Sequence, residues 1–275
     1  MSQNEIYMRR CLELAKNGSG GVAPNPMVGS VIVYDGKIIG EGYHQKFGGS
    51  HAEVNALKSV GNYDLLEKST LYVNLEPCSH VGKTGPCADF IIKNKIKKVV
   101  VGCRDHSSKV NGKGIEKLKD AGVKVTEGIL EQECMELNNR FFTFHLKSRP
   151  YIILKWAQTK DGFMASNENR QFWITNEKSR QLVHLWRSQE QAIMVGTNTA
   201  RIDNPLLTTR EVSGKNPIRI VVDKDLKLDK SLKIFNHESS TIVFNKKVNK
   251  KNANIEFVKI NFDENPLKGM LHYLW

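Results

Sequence analysis

Four residues in the first third of the chain have types and spacing that could do chemistry together: His51, Glu53, Cys78 and Cys87. An imidazole and two thiolates make a three-ligand set for Zn²⁺. Three protein ligands leave one position of a tetrahedral ion open, as catalytic rather than structural sites do. Such an ion acidifies a bound water to a pKa of about 7. Glu53 lies two residues beyond His51, near enough to exchange protons with that water without ligating the metal. Pro77 precedes the first thiol, and SHVGKTGP separates it from the second. Taken singly, each residue reads more simply as a buried thiol or an ordinary polar group. The four together, in one helix–strand–turn context, point to a metal. A closed structural site would need a fourth ligand, for which His80 is the nearby candidate.

The elements that must position these groups have their own signatures. HAEVNAL reads as a helix carrying His51 and Glu53, TLYVNL (70–75) as a short apolar strand, and EPCSHVGKTGPC as the turn that delivers both thiols. Upstream, residues 4–17 show helical apolar spacing and stop at Gly18. APNPMVGSVIVY and KIIGEGYH flank Asp35-Gly36, a two-residue hairpin signal. Downstream, CADFIIKNK reads as helix, IKKVVVGC as buried strand, GIEKLKDAG as helix and VKVTEG as strand. EQECMELNNRFFTFHLK reads as one closing helix. This alternation predicts a three-layer α/β sheet. The loops after strands 70–75 and 96–102 lie at carboxyl ends of strands, where ligands gather in such sheets.

Lys147-Ser148-Arg149-Pro150 is a polar, proline-punctuated break, and the domain boundary is placed between 147 and 148. A fresh pattern follows: strand YIILKWAQ, turn Thr159–Gly162, helix NEKSRQLVHLWRSQ and strand QAIMVGTNT. IRIVVD, TIVF and IEFV are further strands, and LKGMLHYLW starts a last helix. This second unit is again α/β. No G-x-G-x-x-G follows a strand, so no Rossmann fingerprint is present. The last helix stops at Trp275 with no strand after it, which implies a second domain lacking its C-terminal part.

A net charge of +12 invites a nucleic-acid partner. The lysines are spread along the chain, however, and NKKVNKKNAN (245–254) reads as a solvated connection between strands. No aromatic–basic interleaving accompanies them, so small phosphate-bearing substrates are the better match. No apolar run approaches the roughly 20 residues of a membrane span. MSQNEIYMRRCLELAK reads as an amphipathic helix rather than a signal peptide. Five cysteines, an odd number, argue against a disulfide framework and for a reducing cytoplasm.

His-x-Glu followed by Pro-Cys is the signature of zinc-dependent deaminases, here with an unusually long Cys-x₈-Cys spacing. Together with PNPMVGSVIV, GYH, GGSHAEVNAL and CSHVGKT it makes the first half resemble a known family. The second half is similar through RPYIILKWAQTKDG, FWIT, HLWRSQEQAIMVGTNTARIDNPLLTTR and RIVVD. Over its whole length the chain resembles the bifunctional deaminase–reductases of riboflavin biosynthesis. The resemblance implies a cytidine-deaminase-like αβα domain (1–147) and a dihydrofolate-reductase-like α/β domain (148–275). It implies zinc-dependent removal of the 2-amino group of 2,5-diamino-6-(5-phosphoribosylamino)pyrimidin-4(3H)-one, then NADPH-dependent reduction of the ribosyl chain to ribityl. Carried over residue by residue, it places deaminase substrate contacts at Asn25, His44, His80, Lys83, Thr84 and Asp105. NADPH contacts fall on Ala157, Trp173, Thr199 and Asp203, and reductase substrate contacts on Lys155, Gln171, Arg187, Leu207 and Arg210. Ser107 stands where the family carries an asparagine, and Gln171 where it carries a serine. The family's downstream Glu-Gly-Gly segment is missing, so an impaired reductase is expected. Self-association through the second domain is the family's habit.

Two rival readings stay in view. One is a zinc deaminase acting on a nucleic-acid base, as in tRNA, which would want a shorter Cys spacing and a basic single-strand groove. The other is a non-catalytic binding protein that keeps zinc for stability.

Overall fold

The computed structural model describes residues 1–80, 85–107, 110–165 and 173–275. Helix α1 (Gln3–Lys16) opens with a capping box, Ser2 and Glu5 each bonding the other's backbone N–H. Its apolar stripe of Tyr7, Met8, Cys11, Leu12 and Ala15 is buried. Strands β1 (Gly29–Tyr34) and β2 (Lys37–Tyr43) form the expected hairpin, with Tyr34 opposite Lys37. Asp35 and Gly36 both have positive φ (47° and 70°), as a type I′ turn requires. Helix α2 (Ala52–Lys58), strand β3 (Thr70–Leu75), helix α3 (Cys87–Lys93) and strand β4 (Lys98–Cys103) follow. Helix α4 (Lys113–Asp120) then leads to strand β5 (Lys124–Thr126).

The strands form one sheet in the order β2-β1-β3-β4-β5. Strand β1 runs antiparallel to both its neighbours, and β3, β4 and β5 are parallel. One face packs Ala56, Leu57, Ala88, Ile91 and Leu118 of α2, α3 and α4 against Ile32, Leu71, Val73, Val99 and Val101. The other face packs α1 with Cys134 and Phe142 against Val31, Val33, Tyr72 and Val100. This is the three-layer arrangement expected. Gly42 of β2 lets α2 lie directly on the sheet backbone, since a Cβ there would sit 2.3 Å from the Ala56 nitrogen.

The expected closing helix is broken in two, α5 (Glu131–Leu137) and α6 (Asn139–Lys147). At the break, Asn138 turns its side-chain amide onto Met27, accepting from the Met27 N–H (2.8 Å) and donating to its carbonyl (3.0 Å). A side-chain-to-backbone pair of this kind competes with helical continuity.

Residues 1–151 form one compact unit and 152–275 a second. The second unit has helix α7 (Glu177–Gln189), strand β6 (Ala192–Val195), helix α8 (Thr197–Asp203) and strand β7 (Ile218–Val222). Strands β8 (Thr241–Asn245), β9 (Lys250–Asn252) and β10 (Ile255–Lys259) and helix α9 (Pro266–Leu274) complete it. Its sheet order is β6-β7-β8-β10-β9, parallel except for β9. Three sequence expectations are corrected here. YIILKWAQ is not a strand: it belongs to neither sheet, and Ile152, Ile153, Leu154 and Trp156 are exposed. A strand apolar on both faces needs neighbours to pair with, and the described residues supply none. QAIMVGTNT changes state at Gly196, whose extended backbone caps α8, so Thr197 and Thr199 are helical. Part of the lysine-rich 245–254 connection forms β9, paired antiparallel with β10 at the sheet edge.

Candidate active site

His51 is the N-cap residue of α2, yet its side chain caps nothing. Its ring instead faces the thiols: Nδ1 lies 3.2 Å from Cys87 Sγ and 3.5 Å from Cys78 Sγ. All three ligand atoms fall within 4.8 Å of one another. A tetrahedral zinc with ordinary Zn–S and Zn–N bonds separates nitrogen and sulfur by about 3.6 Å. The donor set therefore fits the metal in kind and spacing. Cys87 is the first residue of α3, and its backbone N–H donates to Cys78 Sγ at 3.3 Å. The thiol of Cys87 and then the His51 imidazole hold Cys78 well below the usual thiol range. Cys87 is pushed up, first by its bond to Cys78 and then by burial. The Cys78 bond in turn raises His51. Negative charge held this close to an imidazole suits a divalent cation.

Glu53, in the first turn of α2, is 3% exposed. Burial, and then the charge on Cys78, push its carboxyl up to about 7. A carboxyl poised there both accepts and returns a proton near neutral pH.

The expected substrate contacts of the first unit divide into three groups. His44 is buried, and its ring meets that of His51 edge-on at 5.4 Å. Its Nδ1 lies 3.0 Å from the Ser50 carbonyl, which fixes the proton on that nitrogen. Nε2 then accepts from the Asn25 side-chain NH₂ at 3.1 Å. His44 therefore orients the half-buried Asn25. Asp105 is buried at the carboxyl end of β4 and accepts from the Ser107 N–H at 2.8 Å. His80 is exposed and is not grouped with the three metal ligands. Lys83 and Thr84 lie outside the described residues.

Sequence reading overlooked several polar residues that build this site. Asn74 of β3 accepts from the Gly29 N–H and donates to the Met27 carbonyl, so with Asn138 it pins the segment carrying Asn25. Asn55 donates to the Tyr43 and Ser50 carbonyls. Glu76, beside Pro77 and Cys78, is fully enclosed. The available signal was a charged or amide side chain within a buried apolar run, since such groups are buried only when satisfied.

In the second unit the structure brings Arg187 and Arg210 together. Arg187 of α7 donates to the Thr208 carbonyl at 2.7 Å, and Arg210 donates to the same oxygen at 3.4 Å. The Arg210 backbone N–H donates to Nδ1 of buried His184. Burial and then the Arg210 charge lower the Arg187 pKa, and its buried Nε has no hydrogen-bond partner among the described residues. Leu207, directly before Thr208, has a left-handed backbone (φ 56°) and is buried. Trp173 is 58% exposed, with the Arg180 guanidinium 5.1 Å over its ring. Thr199 and Asp203 lie one turn apart on α8, and Lys155 and Ala157 lie in the irregular segment before α7. No side-chain hydrogen bond among the described residues joins these five to one another or to the arginines. Gln171 lies outside the described residues.

Family models match both halves. Residues 1–103 match the cytidine and deoxycytidylate deaminase zinc-binding region, and residues 150–271 match the RibD C-terminal domain. The riboflavin biosynthesis protein RibD of Aquifex aeolicus is 48% identical over 89% of this chain and 69% of its own length. That of Synechocystis is 44% identical over 92% of this chain and 68% of its own, and that of Actinobacillus pleuropneumoniae 47% over 80% and 58%. A solved diaminohydroxyphosphoribosylaminopyrimidine deaminase/5-amino-6-(5-phosphoribosylamino)uracil reductase from Thermotoga maritima superposes with a TM-score of 0.90. It is 41% identical and covers 99% of this chain and 77% of its own. Acinetobacter baumannii RibD gives a TM-score of 0.89 at 35% identity, covering 99% and 77%. The chain thus spans between about three fifths and three quarters of these relatives. The chain belongs to the RibD family of riboflavin-biosynthesis proteins, with a zinc-deaminase half and a reductase half.

Proposed function

We propose that the domain of residues 1–147 hydrolyses the 2-amino group of 2,5-diamino-6-(5-phosphoribosylamino)pyrimidin-4(3H)-one, releasing ammonia. The carrying observation is a buried carboxyl held near neutrality beside a His/Cys/Cys donor set. His51, Cys78 and Cys87 would hold zinc, which supplies the Lewis acid that acidifies water in this pocket. Glu53 takes one proton from the attacking water and delivers it to the ring nitrogen, then takes the second from the new carbon-bound hydroxyl and delivers it to the departing amine. One C–O bond forms, one C–N bond breaks, and the carboxyl ends in its starting state. Asn25, oriented by His44, and Asp105 position the pyrimidine and ribose. His80, Lys83 and Thr84 are further substrate contacts by the resemblance, and Lys83 and the histidines suit the phosphate and ribose hydroxyls.

We infer that residues 148–275 form the reductase domain. Its arginine pair has a buried donor with no partner among the described residues, which fits a substrate phosphate. Lys155, Gln171 and Leu207 complete that substrate side. An exposed indole beside a guanidinium, with a hydroxyl and a carboxylate one helical turn apart, offers stacking and polar groups to NADPH. Ala157, Trp173, Thr199 and Asp203 would hold it, and the cofactor supplies hydride. The partner is a small phosphorylated pyrimidine rather than nucleic acid, the setting cytoplasmic, and self-association runs through the second domain. No helix among the described residues is long and apolar enough to cross a membrane.

The test is zinc analysis with ammonia release from the diaminopyrimidine phosphate. Glu53→Gln should keep its zinc and lose roughly a thousandfold in kcat. Zinc without turnover in the unaltered chain would favour the binding-protein reading. Tight, salt-sensitive tRNA retention on a filter would favour the nucleic-acid one.

A further inference from the structure

Glu76 directly follows β3 and continues its ladder, its N–H donating to the Cys103 carbonyl. Its carboxylate is 4% exposed and enters no ion pair among the described residues. Four backbone N–H groups satisfy it instead. Oε2 accepts from Asp105 (3.2 Å) and Gly112 (3.1 Å), and Oε1 from Gly114 (2.9 Å) and Ile115 (3.3 Å). Two of those donors belong to the first turn of α4, whose N-cap, Gly112, has no side chain to serve them. Glu76 therefore caps α4 from another strand, with its negative charge at the positive end of the helix. Gly114 adds an independent contact: a Cβ there would lie 1.8 Å from the Pro77 carbonyl. The start of α4 is thus seated on the peptide that joins Glu76 to the metal ligand Cys78. The same loop is closed on itself by Asn111 N–H to the Asp105 carbonyl (2.9 Å) and Val110 N–H to the Ser107 carbonyl (3.1 Å).

We propose that Glu76 is a positioning residue that holds Asp105 and its loop in register with the metal-bearing turn. It acts through Asp105 rather than on the reacting atoms. The proposal rests on the deaminase reading given above. A neutral amide cannot do the same work. In Glu76→Gln one oxygen becomes an NH₂ group facing N–H donors, so two of the four bonds are lost and two donors are stranded.

The experiment compares the unaltered chain, Glu76→Gln, Glu76→Asp, Asp105→Asn and the Glu76→Gln/Asp105→Asn double variant. Ammonia release, zinc content and amide hydrogen exchange are read on each. In Glu76→Gln, KM should rise at least about tenfold with a much smaller change in kcat and unchanged zinc. Exchange protection should fall at Asp105, Gly112, Gly114 and Ile115 and hold elsewhere. Glu76→Asp, which keeps the charge, should recover part of the KM. The double variant should be little worse than the poorer single one, because both act through one loop. Loss of zinc, a fall in kcat with KM unchanged, additive effects, or undiminished protection at the four amides would each overturn the proposal. If Glu76→Gln does not fold, Glu76→Asp carries the same KM and exchange tests. Absence of ammonia release from the unaltered chain refutes the deaminase reading instead. The exchange data need no substrate and still decide whether Glu76 anchors the loop.

Discussion

The two halves of the chain concentrate charge of opposite sign. In the first, Cys78, held well below the usual thiol range, places negative charge beside the His51 imidazole, with the Cys87 thiol and the buried Glu53 carboxyl close by. In the second, Arg187 and Arg210 share one carbonyl acceptor, and burial and then the Arg210 charge lower the proton affinity of Arg187, with partly exposed Glu211 the nearby acid. Each cluster is unfavourable by itself and would be relieved by a ligand of opposite sign: a dication in one half and, under the reading proposed above, a phosphate in the other. Charge that a protein packs at its own expense is a better guide to a ligand than net charge. The chain's +12 says only that the surface is basic.

Three measurements would break or sharpen this contrast. The largest effect is expected at the metal. Cys87→Ala should lose zinc and bring ammonia release to background. A chelator that lowers the melting midpoint of the unaltered chain should not move that of the variant, since bound metal stabilises by mass action. Unchanged turnover in Cys87→Ala would dissolve the first half of the comparison. An intermediate effect is expected at the arginines. Inorganic phosphate should raise the midpoint of the unaltered chain and do so far less for Arg187→Met. Without phosphate, Arg187→Met should match or exceed the unaltered chain in stability, because it removes a like charge and a stranded donor. Arg187→Lys should not restore the phosphate response, as one ammonium cannot replace a planar fork.

The smallest effect belongs to an ordinary surface pair. Arg10 meets Glu41 with two bonds of 2.7 and 2.9 Å, and that contact lowers the Glu41 carboxyl. A depressed carboxyl stabilises above its unfolded pKa, and the benefit is lost as pH falls through its folded value. Glu41→Gln should therefore cost at most about 1 kcal/mol at neutral pH, shrinking in high salt and vanishing in strong acid. A larger cost there would show that paired surface charge matters here as much as the buried clusters.

What could be read from the sequence followed contact distance along the chain. His51 and Glu53 are two residues apart, and the two thiols are nine apart, so local spacing carried the metal site. The Asp35-Gly36 hairpin was legible for the same reason, because its chemistry is confined to two residues. Glu76 was not, since its four N–H partners lie 29 to 39 positions away. Asn138 looked like one more residue of a helix, and only its bonds to Met27, 111 positions earlier, explain the break. In the second half, 151–158 has strand composition but no ladder among the described residues, and composition does not say whether a neighbour exists.

The outermost strand of the second sheet has a further consequence. β9 presents Lys250 and Lys251 on an exposed rim that pairs on one side with β10. An unpaired strand margin is a template on which other chains can add, and repelling ammonium groups deter that addition. Some of the basic charge that first suggested nucleic acid thus lies where it opposes edge-to-edge strand addition by neighbouring molecules.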